Sequence, residues 1–137
     1  MMSVNAFKGV ELGAGFASSA AFGSELHDEI LLEDDKIVRS SNNAGGIEGG
    51  MSNAQPIHVK VSMKPLSTLV KPLKSIDLET MEPVLAHKER TDSCAVPAAS
   101  IIGESMLAIV IADALLEKFG GDSIAQLKKH IKSSGKY

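Results

Sequence analysis

The sequence predicts an α+β chain in which short antiparallel strands pack on one long helix buried on most faces. Three observations carry that prediction. Ile57, Val59, Val61 and Met63 alternate with His58, Lys60 and Ser62, the period of a half-buried strand. The run ILLEDDKIV, residues 30–38, sets a turn pair between two apolar stretches, as a hairpin does. Residues 98–119 carry only Glu104, Asp113, Glu117 and Lys118 as charges, so a helix there is apolar nearly all round, the usual mark of a core helix.

Taken in order, residues 7–12 (FKGVEL) read as a strand, and residues 18–28 as a short helix with Ala20, Ala21, Phe22 and Leu26 inward. The hairpin over 30–38 turns at Asp34-Asp35. Residues 40–56, SSNNAGGIEGGMSNAQP, have the composition of a linker. A spacer, however, has no need of Ile47, Glu48 and Met51 placed asymmetrically among paired glycines. The strand over 57–63 follows, with further strands predicted over 74–80 and 83–87. Pro97 suits the first turn of the apolar helix and Gly120-Gly121 ends it. Asp122 is the predicted N-cap of a closing amphipathic helix, with Ile124, Leu127 and Ile131 on one side and Lys128, Lys129 and Lys132 off it.

Composition narrows the function classes. The chain has 137 residues, enough for one domain with a core, and its 44% apolar and 23% charged shares are those of an ordinary soluble globular protein. Aromatic residues make up 4%, and Trp is absent, which argues against stacking platforms for single-stranded nucleic acid. A net charge of −3 gives no electrostatic footprint for nucleic acid or an anionic membrane. The single cysteine, Cys94, fits a reducing cytosol and excludes an internal disulfide framework. The N-terminus, MMSVNAFKGVELGAG, lacks the basic-then-apolar pattern of a secretory signal. In the apolar helix the longest unbroken apolar run, residues 106–112, is well short of the roughly 18 residues of a membrane span. The expectation is a cytoplasmic chain with neither nucleic acid nor membrane as partner.

Two constellations carry candidate chemistry. Between Gly49 and Ile76 there is no Asp or Glu, but Lys60, Lys64, Lys71 and Lys74 are present. A Gly-rich loop followed by a carboxylate-free lysine segment can cradle a phosphate-bearing ligand, or it can be a plain solvated lysine face. Neither GxxxxGK[ST] nor a strand–GxGxxG–helix pattern is present. The second constellation is ERTDSCAVPAAS, residues 89–100. Arg90 and Asp92 share strand-like alternation, so they form either a structural ion pair or an anion-holding Arg beside a proton-accepting Asp. Cys94 has no nearby His and reads as a small hydrophobe. His27, His58, His87 and His130 are scattered singly, and no metal site is predicted.

SVNAFKGVELGAGF, GSELHDEI, SSNNAGGIEGGMSN, MKPLSTL, KPLKSIDL, RTDSCAVPAAS and ALLEKFGGD, in that order and spacing, resemble the C-terminal part of chorismate synthase. The resemblance runs over nearly the whole chain, residues 1–137. It implies an FMN-dependent lyase that converts 5-enolpyruvylshikimate 3-phosphate into chorismate and phosphate by anti 1,4-elimination, with the flavin reduced throughout. It implies a β-α-β sandwich with helices between antiparallel sheets, and a homotetramer. Asn5 and Ala6 match the family's Asn-Ala position at the flavin, and Gly49 matches the loop glycine. Lys64, Pro65, Leu66, Ser67 and Thr68 match its flavin-binding stretch. Arg90 matches an arginine credited with holding flavin or the substrate phosphate. Asp92 matches the aspartate proposed to work with the flavin in removing the C6 proton.

Two departures from the family pattern are visible. Glu89 stands where many members have Gly, which sets an extra carboxylate beside Arg90. The resemblance also covers only about the last third of the family's usual chain. The N-terminal histidine blocks and part of the flavin site have no counterpart here. The expectation is a fragment, a truncated reading frame or one piece of a split or damaged gene, inactive by itself, with much of the apolar helix uncovered. The alternative is a truncated, non-catalytic module that binds only an anion or flavin, or assembles with itself.

Overall fold

The computed structural model describes residues 1–89 and 94–135. The chain divides into two compact units, Met2–Pro65 and Leu66–Tyr137, the second also taking Met1. In the first unit, β1 (Phe7–Leu12) is followed by a 3₁₀ segment (Gly15–Ala20) and the single turn α1 (Gly23–Leu26). Then come β2 (Ile30–Glu33), β3 (Lys36–Arg39), β4 (Ile47–Glu48), β5 (Met51–Ser52) and β6 (Val59–Met63). The second unit holds β7 (Lys74–Ile76), β8 (Pro83–Leu85), α2 (Val96–Phe119) and α3 (Ile124–Ser133). The chain is α+β, and its described strands form four separate antiparallel pairs: β1–β6, β2–β3, β4–β5 and β7–β8.

The alternating segment predicted over 57–63 does pair as a strand from Val59, against β1, with Val10 opposite Val61 and Glu11 opposite Lys60. An irregularity between Phe7 and Gly9 lets Phe7 turn inward, where it is 5% exposed and the only buried apolar side chain of this unit. Directly opposed, Glu11 and Lys60 form an ion pair at 3.1 Å. The β2–β3 hairpin forms where the sequence predicts it, with Leu31 opposite Val38 and Leu32 opposite Ile37. Its turn residues Asp34 and Asp35 have φ of 49° and 58°, the left-handed pair that matches the twist of a two-residue hairpin.

The helix predicted over 18–28 does not form. The 3₁₀ segment and the isolated turn α1 replace it, and Phe22, expected inward, is 77% exposed. Local competition explains the difference. Ser18 Oγ donates to Gly15 O at 2.7 Å and Ser19 Oγ to Phe16 O at 2.8 Å, bonds that favour a tight turn over a propagating helix.

Residues 40–56 are a built loop with two kinds of glycine. Gly45 and Gly46 are buried, with φ of 70° and 87°. A Cβ on Gly45 would lie 2.3 Å from the Gly13 nitrogen, and one on Gly46 would lie 2.5 Å from the Pro56 oxygen. These positions are glycine because backbone passes against backbone. Gly49 and Gly50 close the β4–β5 hairpin at φ of 57° and 77°, and a Cβ on either meets nothing within 4 Å. The two pairs are thus expected to respond differently to alanine. Gly49→Ala should cost about 1 kcal/mol from left-handed backbone alone. Gly46→Ala adds a backbone clash and should cost roughly 3 kcal/mol or more. Urea midpoints of the two variants measure the gap.

In the second unit the strands predicted over 74–80 and 83–87 are shorter than expected. The Asp77 carboxylate accepts from the Glu79 N–H at 2.8 Å and the Thr80 N–H at 3.0 Å, turning the chain after Ile76. Helix α2 begins two residues before the predicted start, with Pro97 in its first turn, and stops at Gly120, whose φ of 47° breaks it. The N-cap of α3 is Ser123, not Asp122. Ser123 Oγ accepts from the Gln126 N–H at 3.3 Å, while Gln126 Oε1 accepts from the Asp122 N–H at 2.7 Å, so a reciprocal cap excludes the Asp side chain from that role. Leu127 and Ala99 are the buried apolar side chains here. Most of α2 has no cover: Ile101 is 62%, Ile109 61% and Val110 60% exposed. The prediction that α2 is buried on most faces therefore fails for this chain alone, where only Ala99 and Gly103 are buried, whereas the expected lack of cover is observed. By length and composition α2 is apolar enough to cross a membrane, a test that the core helix of a soluble protein also passes.

Candidate functional site

The β1–β6 pairing runs on by one bond past its ends, and that bond makes a corner. The Lys64 N–H donates to Ala6 O at 2.7 Å. Ala6 has φ of 67°, left-handed backbone that a non-glycine residue adopts only when its surroundings hold it there. The Phe7 N–H donates to Val4 O at 3.2 Å and tightens the turn from below. Asn5 and Ala6, distant in sequence from Lys64 and Pro65, are therefore brought together, with Asn5, Lys64 and Pro65 exposed and Ala6 half-buried. Gly49 stands at the exposed tip of β4–β5. Leu66, Ser67 and Thr68 lie in an irregular segment of the other unit, Leu66 and Ser67 exposed and Thr68 half-buried. Arg90 and Asp92 lie outside the described residues. Cys94 is exposed.

The predicted lysine cluster is not uniform. Glu11 takes Lys60 out of it, and the Lys60 ammonium, with the Phe16 N–H after it, holds the Glu11 carboxyl below its ordinary value. Lys64 makes no ion pair among the described residues. Sequence distance from acids is a poor measure of spatial distance, because β1 brings its own carboxylate across the sheet. Among the described residues no three His, Cys, Asp or Glu side chains group as a metal site would need.

One organising residue escapes sequence reasoning: Asp28. Its Oδ1 accepts from the Ser41 hydroxyl and from the Asn43 N–H at 2.7 Å, and its Oδ2 from the Ala44 N–H at 2.9 Å. The Asn43 amide returns a bond to Leu26 O at 2.9 Å. Asn42 continues the chain of contacts, donating to Pro56 O and accepting from the Gly46 N–H, both at 2.9 Å. Arg39 and Glu48 pair at 2.8 Å and tie β3 to β4. The signal for this knot was present, an acid followed by Ser-Ser-Asn-Asn ahead of Gly-Gly, but its pairing across the intervening hairpin is not readable from spacing.

Burial alone would raise the Asp28 carboxyl, but the bonds from Ser41, Ala44 and Asn43, with Arg39 nearby, outweigh it and hold the group below its ordinary value. A carboxyl depressed in the folded state stabilises above its unfolded value, near 3.9, and loses that contribution as pH falls through the folded value. Acid titration followed by the amide signals of Asn43 and Ala44 should therefore show these holding at pH 5 and shifting only below about pH 4. Movement near pH 6 would contradict the assignment.

With this geometry in place, the chain's relatives are informative. The sequence model of a family described as chorismate synthase matches residues 1–116. The chorismate synthase of Aquifex aeolicus is 56% identical over 141 aligned positions, covering 97% of this chain and 35% of the relative. That of Alkaliphilus metalliredigens is 54% identical, again over 97% of this chain and 35% of the relative. A crystal structure of chorismate synthase superimposes with a TM-score of 0.72 at 44% identity, covering 97% of this chain and 32% of that one. The chain spans about a third of the length of the curated relatives it matches, and it belongs to the chorismate synthase family.

Proposed function

We propose that this chain contributes part of the flavin site of a chorismate synthase, which releases phosphate from 5-enolpyruvylshikimate 3-phosphate to give chorismate. The observation that carries the reading is the Lys64 N–H to Ala6 O bond, because it joins two segments that the family resemblance assigns to FMN. Two features suit an anionic flavin. The corner offers an exposed ammonium uncommitted among the described residues, and the Gly49–Gly50 tip leaves open space where a side chain would stand. When bound, reduced FMN supplies electron density for loss of the phosphate. Asn5, Ala6, Gly49, Lys64 and Pro65 of the Met2–Pro65 unit would hold it, and Leu66, Ser67 and Thr68 are assigned to it by the family resemblance. Lys64 offsets negative charge, Arg90 holds an anion through its planar fork, and Asp92 receives the proton leaving C6.

The wider reading follows from the family. We place the strand pairs in a β-α-β sandwich whose middle layer includes α2, in a cytoplasmic homotetramer that neither spans a membrane nor binds nucleic acid. The uncovered apolar face of α2 supports this, since such a face needs a partner layer. The test of the flavin corner is Lys64→Glu in a family-length enzyme carrying this segment. Reversing a charge at a few ångströms should weaken FMN binding at least about tenfold at low salt. Unchanged affinity would remove Lys64 from the site.

A further inference from the structure

The network around Asp28 belongs to none of the residues assigned to the flavin, yet it fixes the chain segment that leads to Gly49. The β4–β5 hairpin has two residues per strand, too few to hold itself in place. Besides the Arg39–Glu48 ion pair on β4, its position depends on its root at residues 41–46. That root is tied on three sides. The Ala14 N–H donates to Asn43 O at 2.8 Å and the His58 N–H to Gly45 O at 3.1 Å, which fastens the root to the ends of β1 and β6. Asn42 fastens it to Pro56. Asp28 supplies the remaining side, collecting three donors on one carboxylate, two of them backbone N–H groups on consecutive residues. We infer that Asp28 is a positioning residue of the flavin site: by holding residues 41–46 in one conformation it sets where the Gly49–Gly50 tip stands.

This rests on the reading that the tip lies against FMN. The physical reason for a carboxylate is that no neutral side chain of this size accepts three hydrogen bonds with both oxygens. In Asp28→Asn one oxygen becomes an NH₂ that faces either the Ala44 N–H or the donors on the other side. At least one donor is then left opposed by a donor.

The test compares Asp28→Asn and Lys64→Glu with the unaltered family-length enzyme carrying this segment. Equilibrium titration with FMN and amide exchange are the first two readouts. Asp28→Asn should weaken FMN binding about tenfold and speed exchange at Asn43 and Ala44 by a comparable factor. Saturating FMN should restore kcat, since no group that touches substrate has been removed. Because cofactor also rescues a generally destabilised enzyme, the separating readout is exchange without FMN, which should speed at residues 41–46 and stay unchanged elsewhere, whereas a lesion of general stability would speed it throughout. Should Asp28→Asn not fold, Ser41→Ala removes a single donor and should weaken FMN about threefold. FMN affinity unchanged in Asp28→Asn or, failing that, in Ser41→Ala, while Lys64→Glu loses it, would overturn the inference and leave the flavin corner standing. Affinity unchanged in both Asp28→Asn and Lys64→Glu would overturn the flavin reading and the inference with it.

Discussion

Supplied with reduced FMN and 5-enolpyruvylshikimate 3-phosphate in the absence of oxygen, the 137-residue chain is expected to release no phosphate above background. Each general acid or base contributes about 10²–10⁴-fold, and the family's acid histidines have no counterpart among the four present. His130 Nδ1 is hydrogen-bonded to Phe119 O at the end of α2. His87 sits exposed 3.8 Å from Glu89. His58 is engaged through its backbone in the loop root, and His27 lines a cleft of about 240 Å³ beside Asp28 and Glu48. Neither His27 nor His58, the two in the Met2–Pro65 unit, hydrogen-bonds at the Ala6–Lys64 corner. Positioning is expected to fail as well: on the proposed reading this chain would supply only part of the FMN contacts, leaving the flavin without a single orientation, and orientation supplies much of the rate. Phosphate release by this chain at the pace of an intact relative would show that the machinery has been misplaced.

The second large effect concerns α2, where one substitution should act in opposite directions in two settings. Ile101 and Ile109 are two turns apart on one helix face, and both are more than half exposed. In the 137-residue chain, Ile109→Lys should reduce self-association, because it breaks an uncovered apolar stripe. In a family-length enzyme, where α2 forms the middle layer of the proposed sandwich, the same change buries an unpaired charge and removes a packed side chain. It should cost about 3 kcal/mol or more. Sedimentation of the chain and thermal unfolding of the enzyme read the two arms. An enzyme indifferent to Ile109→Lys would mean that this face meets water in the assembly too.

How much of this was legible in the sequence depended on the range of the interactions. The β2–β3 hairpin was readable because its turn residues and its apolar pattern are local and agree. The β6 strand was readable from its period, and so were Pro97 and Gly120 as the bounds of α2. The helix over 18–28 was misread because serine hydroxyls folded back onto the chain and no cover existed for Phe22. The α3 cap was misplaced by one residue because Gln126 reaches back to Asp122, a reciprocal arrangement in which Ser123 serves better. At the site, resemblance supplied the residue roles, while composition supplied only the carboxylate-free stretch. The Lys60–Glu11 pair and the Asp28 knot depend on tertiary pairing, which spacing along the chain does not encode. Arg90 and Asp92, which carry most of the assigned chemistry, lie outside the described residues, so their roles rest on resemblance.

The central claim is that the Ala6–Lys64 corner and the Gly49 tip meet the flavin. Amide shifts of a family-length enzyme carrying this segment, recorded while FMN is titrated in, test it directly. The account predicts that Asn5, Ala6, Gly49, Gly50 and Lys64 move together and saturate with the flavin's own binding curve, while β2–β3 and α3 stay still. Shifts confined to α3 or the β2–β3 hairpin, with the corner and the tip unmoved at full FMN occupancy, would contradict it.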